Sequence, residues 1–117
     1  MDKNQLREDS VNFAIAVSDV CDGIKGCSVF VNQLVRASSS IGANIHEAKY
    51  AQSRADFISK LEIALKESSE TDYWLELLFR KQKISKKEYD ALRELSGSIR
   101  RRLIASVTTA KNNKIST

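Results

Sequence analysis

The stretch Arg36-Ala-Ser-Ser-Ser-Ile-Gly-Ala-Asn-Ile-His-Glu47 carries two stripes at helical spacing, and its reading decides the fold. With Arg36 as origin and a turn of 100 degrees per residue, Phe30, Leu34, Ala37, Ile41, Ile45 and Ala48 fall between roughly 100 and 180 degrees, a core-facing stripe. Arg36, Ser40, Asn44 and Glu47 fall between roughly 0 and 80 degrees and line its edge. Ser38, Ser39, Gly42 and Ala43 add little bulk, so a second backbone can come close. Gly42 inside a helix costs about 1 kcal/mol against alanine, and close packing is the natural compensation.

The same periodicity runs outward in both directions. Leu6, Phe13, Ala16, Val17 and Val20 give a first helix over residues 3–22, broken by Cys21-Asp22-Gly23-Ile24-Lys25-Gly26. Ser28 reads as the N-cap of a second helix over 28–51. Ser53, with Asp56 three residues on, opens a third over 54–83, whose apolar face runs from Phe57 through Leu61, Ala64, Leu65, Ser68, Leu75 and Leu78 to Phe79. Ser85 and Glu88 form a capping box that opens a fourth over 86–110, with Tyr89, Leu92, Leu95, Ile99, Leu103 and Val107 inward and 111–117 as a polar tail. With no proline and four glycines in 117 residues, the chain reads as all-α. Four amphipathic helices on short connections predict one domain, an up-down-up-down antiparallel bundle.

Composition narrows the chemistry. Cys21 and Cys27 lack zinc-ligand spacing and read as reduced packing thiols, and His46 has no assignable nucleophile. The carboxylates Glu62, Glu67, Glu70 and Glu76 lack the Glu-x-x-His pairs of di-iron bundles, and no glycine-rich phosphate loop is present. The expectation is a non-enzymatic chain with no cofactor and no metal. No apolar run approaches the roughly 18 residues that span a bilayer, and Met1-Asp2-Lys3-Asn4-Gln5 is not a signal segment, so the expected location is the cytoplasm.

Net charge is +4, unevenly placed: residues 1–22 sum to −3 and residues 85–117 to +5. On the fourth helix Lys86, Arg93, Arg100 and Lys111 cluster between roughly 20 and 60 degrees from Tyr89, clear of Asp90 and Glu94. Arg80, Lys81, Lys83, Lys87 and Arg101 add charge nearby. This acid-free stripe is the candidate nucleic-acid surface, suited to phosphates regardless of sequence. Arg36, Ser40, Gly42, Asn44, Glu47 and Trp74 are the candidate helix or subunit packing positions. Arg36 and Glu47 lie about 16 Å apart along one helix and need partners elsewhere, with Glu62, Lys66 and Glu70 as candidates. Tyr73 and Trp74 read as packing aromatics, because Glu70, Asp72 and Glu76 beside them spoil a base-stacking surface.

Arg36 to Ala48, taken with Asp56-Phe-Ile-Ser-Lys-Leu-Glu-Ile-Ala-Leu-Lys-Glu67 and Glu70-Thr-Asp-Tyr-Trp-Leu-Glu-Leu-Leu78, resembles the four-helix-bundle protein family encoded by bacterial 23S rRNA intervening sequences. The accessory variability determinant of diversity-generating retroelements is similar to the same group. The likeness runs over nearly the whole chain, although His46 stands where relatives often carry a small residue. It implies a homo-oligomer, a ring of five, with RNA or DNA as ligand and room for a protein partner such as a reverse transcriptase. The alternative is a structural or adaptor ring that recruits a protein without touching nucleic acid.

Overall fold

The computed structural model describes residues 3–113 as α1 (Lys3–Asp22), α2 (Ser28–Ala48), α3 (Arg54–Arg80) and α4 (Lys86–Asn113). Each helix packs on its two neighbours in the ring order α1, α2, α3, α4, and the diagonal pairs do not meet. The result is an all-α, up-down-up-down bundle of 52 × 21 × 20 Å. Its core is Leu6, Phe13 and Val17 from α1, Leu34, Ile41 and Ile45 from α2, Leu61, Leu75 and Leu78 from α3, and Leu92, Ile99 and Leu103 from α4.

Helix ends show where periodicity misleads. Ser28 is not the N-cap of α2; Cys27 holds that position with φ 57 and no side-chain cap bond. The chain enters α2 through two successive left-handed residues, Gly26 and Cys27, so Ser28 is already helical. α2 stops at Ala48 rather than Ala51, because Lys49, Tyr50 and Ala51 donate to carbonyls three residues back and tighten into a turn. α3 stops at Arg80 rather than Lys83. Gln82 turns left-handed at φ 62, and Lys83 N–H reaches Leu78 O at 2.9 Å, a Schellman closure. α4 runs one turn past Ala110 to Asn113, and the rest of the expected tail, residues 114–117, lies outside the described residues.

Two starts follow the capping chemistry. Ser53 Oγ accepts from Asp56 N–H at 3.0 Å, while Asp56 reaches back to Gln52 N–H at 3.3 Å. Ser85 Oγ accepts from Glu88 N–H at 3.0 Å and Glu88 returns the bond to Ser85 N–H at 2.9 Å, a full capping box.

The α1–α2 seam explains Gly42. A Cβ there would stand 2.9 Å from Ser10 Oγ, closer than unbonded atoms tolerate. Ser10 is fully buried and its hydroxyl donates to Arg7 O at 2.7 Å, so it cannot swing aside freely. Ser38 is buried in the same helix and closes on Val35 O at 3.2 Å. Hydroxyls that bond their own helix add no unsatisfied group to the core. Cys21 is buried and Cys27 half-buried, both free; burial, then the Asp22 charge, pushes the Cys21 thiol up to about 11.

Gly42→Ala gains about 1 kcal/mol of helix propensity and meets about 1–3 kcal/mol of overpacking, so denaturant melts should show a net loss. In a Ser10→Ala background the loss should shrink toward zero, and a double-mutant cycle without coupling contradicts the close-approach account. Gln82→Gly removes the left-handed penalty of a side chain at the α3 terminus and should raise stability by up to about 1 kcal/mol in the same melts.

Candidate nucleic-acid interface

α4 lies against α3, and α3 brings the carboxylates that a projection of α4 alone omits. Asp72, with 14% of its side chain exposed, sits between Arg93 and Arg100. Arg93 Nε approaches Oδ1 at 3.6 Å, and Arg100 Nη2 bonds Oδ2 directly. Ser96 donates to Oδ1 at 2.8 Å, and Arg100 Nε also donates to Ser68 Oγ at 3.4 Å. Arg93 is further fixed by Tyr89, whose hydroxyl accepts from Nη1 at 2.7 Å and whose ring stacks on Phe79 at 4.3 Å. Lys111 meets Glu62 at 2.9 Å, and Lys86 meets Asp90 at 2.7 Å, a contact that raises the lysine's pKa. The stripe free of acids is therefore corrected: Lys86, Arg93, Arg100 and Lys111 each face a carboxylate. Three of the four belong to the α3–α4 seam.

The remaining candidates divide differently. Arg80 pairs with Glu76 at 3.2 Å. Lys81, Lys87 and Arg101 are exposed and have no carboxylate within ion-pair distance among the described residues, and Arg101 lies over Gly97. Lys83 also lacks a carboxylate partner among the described residues; its Nζ donates to Lys25 O at 3.1 Å. That bond ties the α3–α4 turn to the α1–α2 loop, so Lys25, Lys81, Lys83 and Lys87 gather at one end of the bundle. The N-termini of α2 and α4 open at the same end and add partial positive charge.

The packing candidates also find their places. Arg36 Nη1 meets Glu67 at 2.9 Å, its Nη2 bonds Glu70, and Nε donates to Gln33 at 3.0 Å. Of the three expected partners only Glu70 serves; Glu62 is taken by Lys111. Glu47 pairs with Lys60 at 3.2 Å. Asn44 donates to Ser40 O at 2.8 Å, within its own helix. Trp74 stacks on Phe30 at 6.0 Å and donates to Glu70 at 3.0 Å. His46 is exposed and its Nδ1 accepts from Arg7 Nε at 3.2 Å, which keeps the imidazole out of the core.

Tyr73 is less packed than its neighbour. It is 58% exposed and stands edge-on to Trp74 at 4.9 Å. The carboxylates that argued against base stacking are all engaged: Asp72 by Arg93 and Arg100, Glu70 by Arg36 and Trp74, Glu76 by Arg80. A shallow groove lined by Tyr73, Glu76, Leu77, Arg80 and Lys81 leads from this ring to the basic turn. Arg102 counts in the sequence reading only toward the basic charge of the last segment and is assigned no site there. It bonds Asp9 at 2.7 Å across the α1–α4 seam, and bonds from Gln5 and then Arg102 hold the Asp9 carboxyl below the ordinary carboxylate range.

Among the described residues no group of three or more His, Cys, Asp or Glu side chains could hold a metal, and no helix is long and apolar enough to cross a membrane. No curated protein matches the chain. A crystal structure of a protein of unknown function from the S23 ribosomal protein family of Bacteroides thetaiotaomicron is similar, with a TM-score of 0.87 and 41% identity over 92% of this chain and 99% of that one. The family model described as 23S rRNA-intervening sequence protein matches residues 2–105, and with that extent of match the chain belongs to this family.

Proposed function

We propose that this protein is a non-enzymatic, self-associating bundle that binds RNA or DNA irrespective of sequence, through the basic loop end rather than along α4. The observation that supports it is the gathering of Lys25, Lys81, Lys83 and Lys87, without carboxylate partners among the described residues, beside two helix N-termini. Cations already held by carboxylates lose much of that pairing when a phosphate takes them, whereas lysines without a carboxylate partner neutralise phosphates and release the nucleic acid's counterions at less structural cost. Tyr73, joined to Lys81 by the shallow groove, offers a ring to an unstacked base, which favours single strands over duplex.

Self-association rests on a different surface. Just outside the Ser10–Gly42 contact, Val11 and Ile15 of α1 and Val35 of α2 are 38%, 52% and 38% exposed. Ser39 and Ala43 extend this strip without charge. An uncharged outward strip of this kind suits a second copy of the chain. The family resemblance makes a ring of five the expected closure, which would multiply the basic end around an axis.

Replacing Lys81, Lys83 and Lys87 with glutamine should weaken retention of single-stranded RNA at low salt. It should also flatten the slope of log affinity against log salt by about 2, at roughly 0.7 per phosphate contact. Unchanged retention and slope would sink nucleic-acid binding and leave the reading of a ring that recruits a protein. Ile15→Glu with Val35→Glu should lower the mass measured by light scattering to that of a monomer while helicity is kept; an unaltered mass contradicts the assigned strip.

A further inference from the structure

At the end of the bundle opposite the basic loops the core is not closed by the described residues. α1 and α3 begin there, α2 ends there, and Leu6, Ile45, Ala48, Phe57 and Leu61 line a cavity of about 180 Å³ that opens to solvent. Water fills a cavity only where it finds two to four polar partners, and an apolar void of about 150 Å³ takes up small hydrocarbons instead. This wall is nearly all hydrocarbon. The cavity is also small: at about 30 Å³ per water- or methylene-sized group it accommodates roughly six of them, far short of a full lipid acyl chain.

The described residues of its lining are charged with one sign. Among the described residues of the lining, Arg7 and Lys49 are the ionisable ones and none is a carboxylate. Arg7 is steered by His46, which accepts from its Nε, and shares its Nη1 with Glu8 at 3.1 Å. Lys49 is exposed, has no carboxylate partner among the described residues, and its Nζ stands 5.8 Å from the centre of the Tyr50 ring. An apolar hollow with an uncompensated ammonium in its lining is complementary to a molecule with a hydrocarbon tail and an anionic head.

We propose that this cavity binds a free medium-chain carboxylate of about six to eight carbons in all, its tail among Leu6, Ile45, Ala48, Phe57 and Leu61 and its head group at Lys49 and Arg7. The tail supplies the affinity through burial and the rim supplies the choice of head group. The site is remote from Lys81, Lys83 and Lys87, so it stands or falls independently of polyanion binding.

Calorimetric titration of the full chain with hexanoate, octanoate, decanoate and dodecanoate, each below its micelle concentration, tests the length limit. Binding should be saturable at one site, strengthen about fourfold for each added methylene up to about eight carbons, and then level off. Octanoate should bind more tightly than octylammonium, and Lys49→Glu should reverse that order. Ala48→Phe fills the hollow from α2 and Ser106→Leu fills it from α4; either variant, with helicity intact, should abolish uptake. Glutamine at Lys81, Lys83 and Lys87 should leave uptake unchanged. Absence of saturable uptake, as a cavity already covered by a second copy would give, overturns the proposal. Affinity that keeps climbing past ten carbons, or equal binding of octanoate and octylammonium, overturns it as well.

Discussion

The pairing of α3 carboxylates with α4 cations is the constraint on which the surface of this bundle depends. Asp72 is its centre: one half-buried carboxylate serving Arg93, Arg100 and the hydroxyl of Ser96. Charge-assisted hydrogen bonds at such a depth are worth roughly 1.5–3 kcal/mol each, whereas exposed pairs such as Lys86–Asp90 or Arg80–Glu76 contribute about 0–1 kcal/mol. Arg93 and Arg100 of α4 are therefore committed to holding α4 on α3. What remains for a ligand is set by subtraction, and the cations that remain are most numerous among the lysines of the loop end.

The other seams use different chemistry for the same purpose. α1 approaches α2 through Ser10 and Gly42, where missing side-chain volume allows backbone contact. α2 meets α3 through an apolar stripe edged by Arg36, which clamps Glu67 and Glu70, and by the Glu47–Lys60 pair. α1 meets α4 through Arg102 and Asp9. Each edge of the square thus carries its own specificity, and that discourages the alternative helix orders that a uniformly apolar core would tolerate.

Much of this architecture was legible in the residues. The inward stripe of α2 is buried from Leu34 to Ala48, with Phe30 half-buried at its start, because a period of 3.6 residues reports directly which side faces the core. The starts at Ser53 and Ser85 were legible because capping is local chemistry. Helix ends were less so: Cys27 and Gln82 take left-handed conformations without belonging to the residue types that advertise them. The candidate site was the least legible part. A projection of α4 correctly clears Lys111 of acids on its own helix and says nothing of Glu62, 49 residues away. Arg102 is assigned no site for the same reason, since its partner lies on the first helix.

Topology explains why the charge asymmetry of the sequence does not become a field across the molecule. The acidic first segment and the basic last segment are antiparallel neighbours, so Asp9 and Arg102 cancel laterally instead of standing at opposite poles. Asp72 and Glu62 cancel much of the rest from the other side. An up-down-up-down chain also sends the α1–α2 loop and the α3–α4 turn to one end, and the α2–α3 turn and the start of α1 to the other. The first end collects lysines from connections, where no neighbouring helix supplies carboxylates in register. The second collects the helix starts and ends around an unfilled core. The two ends of one bundle thereby acquire different chemistries, cationic and solvated at one, apolar and hollow at the other, from connectivity alone.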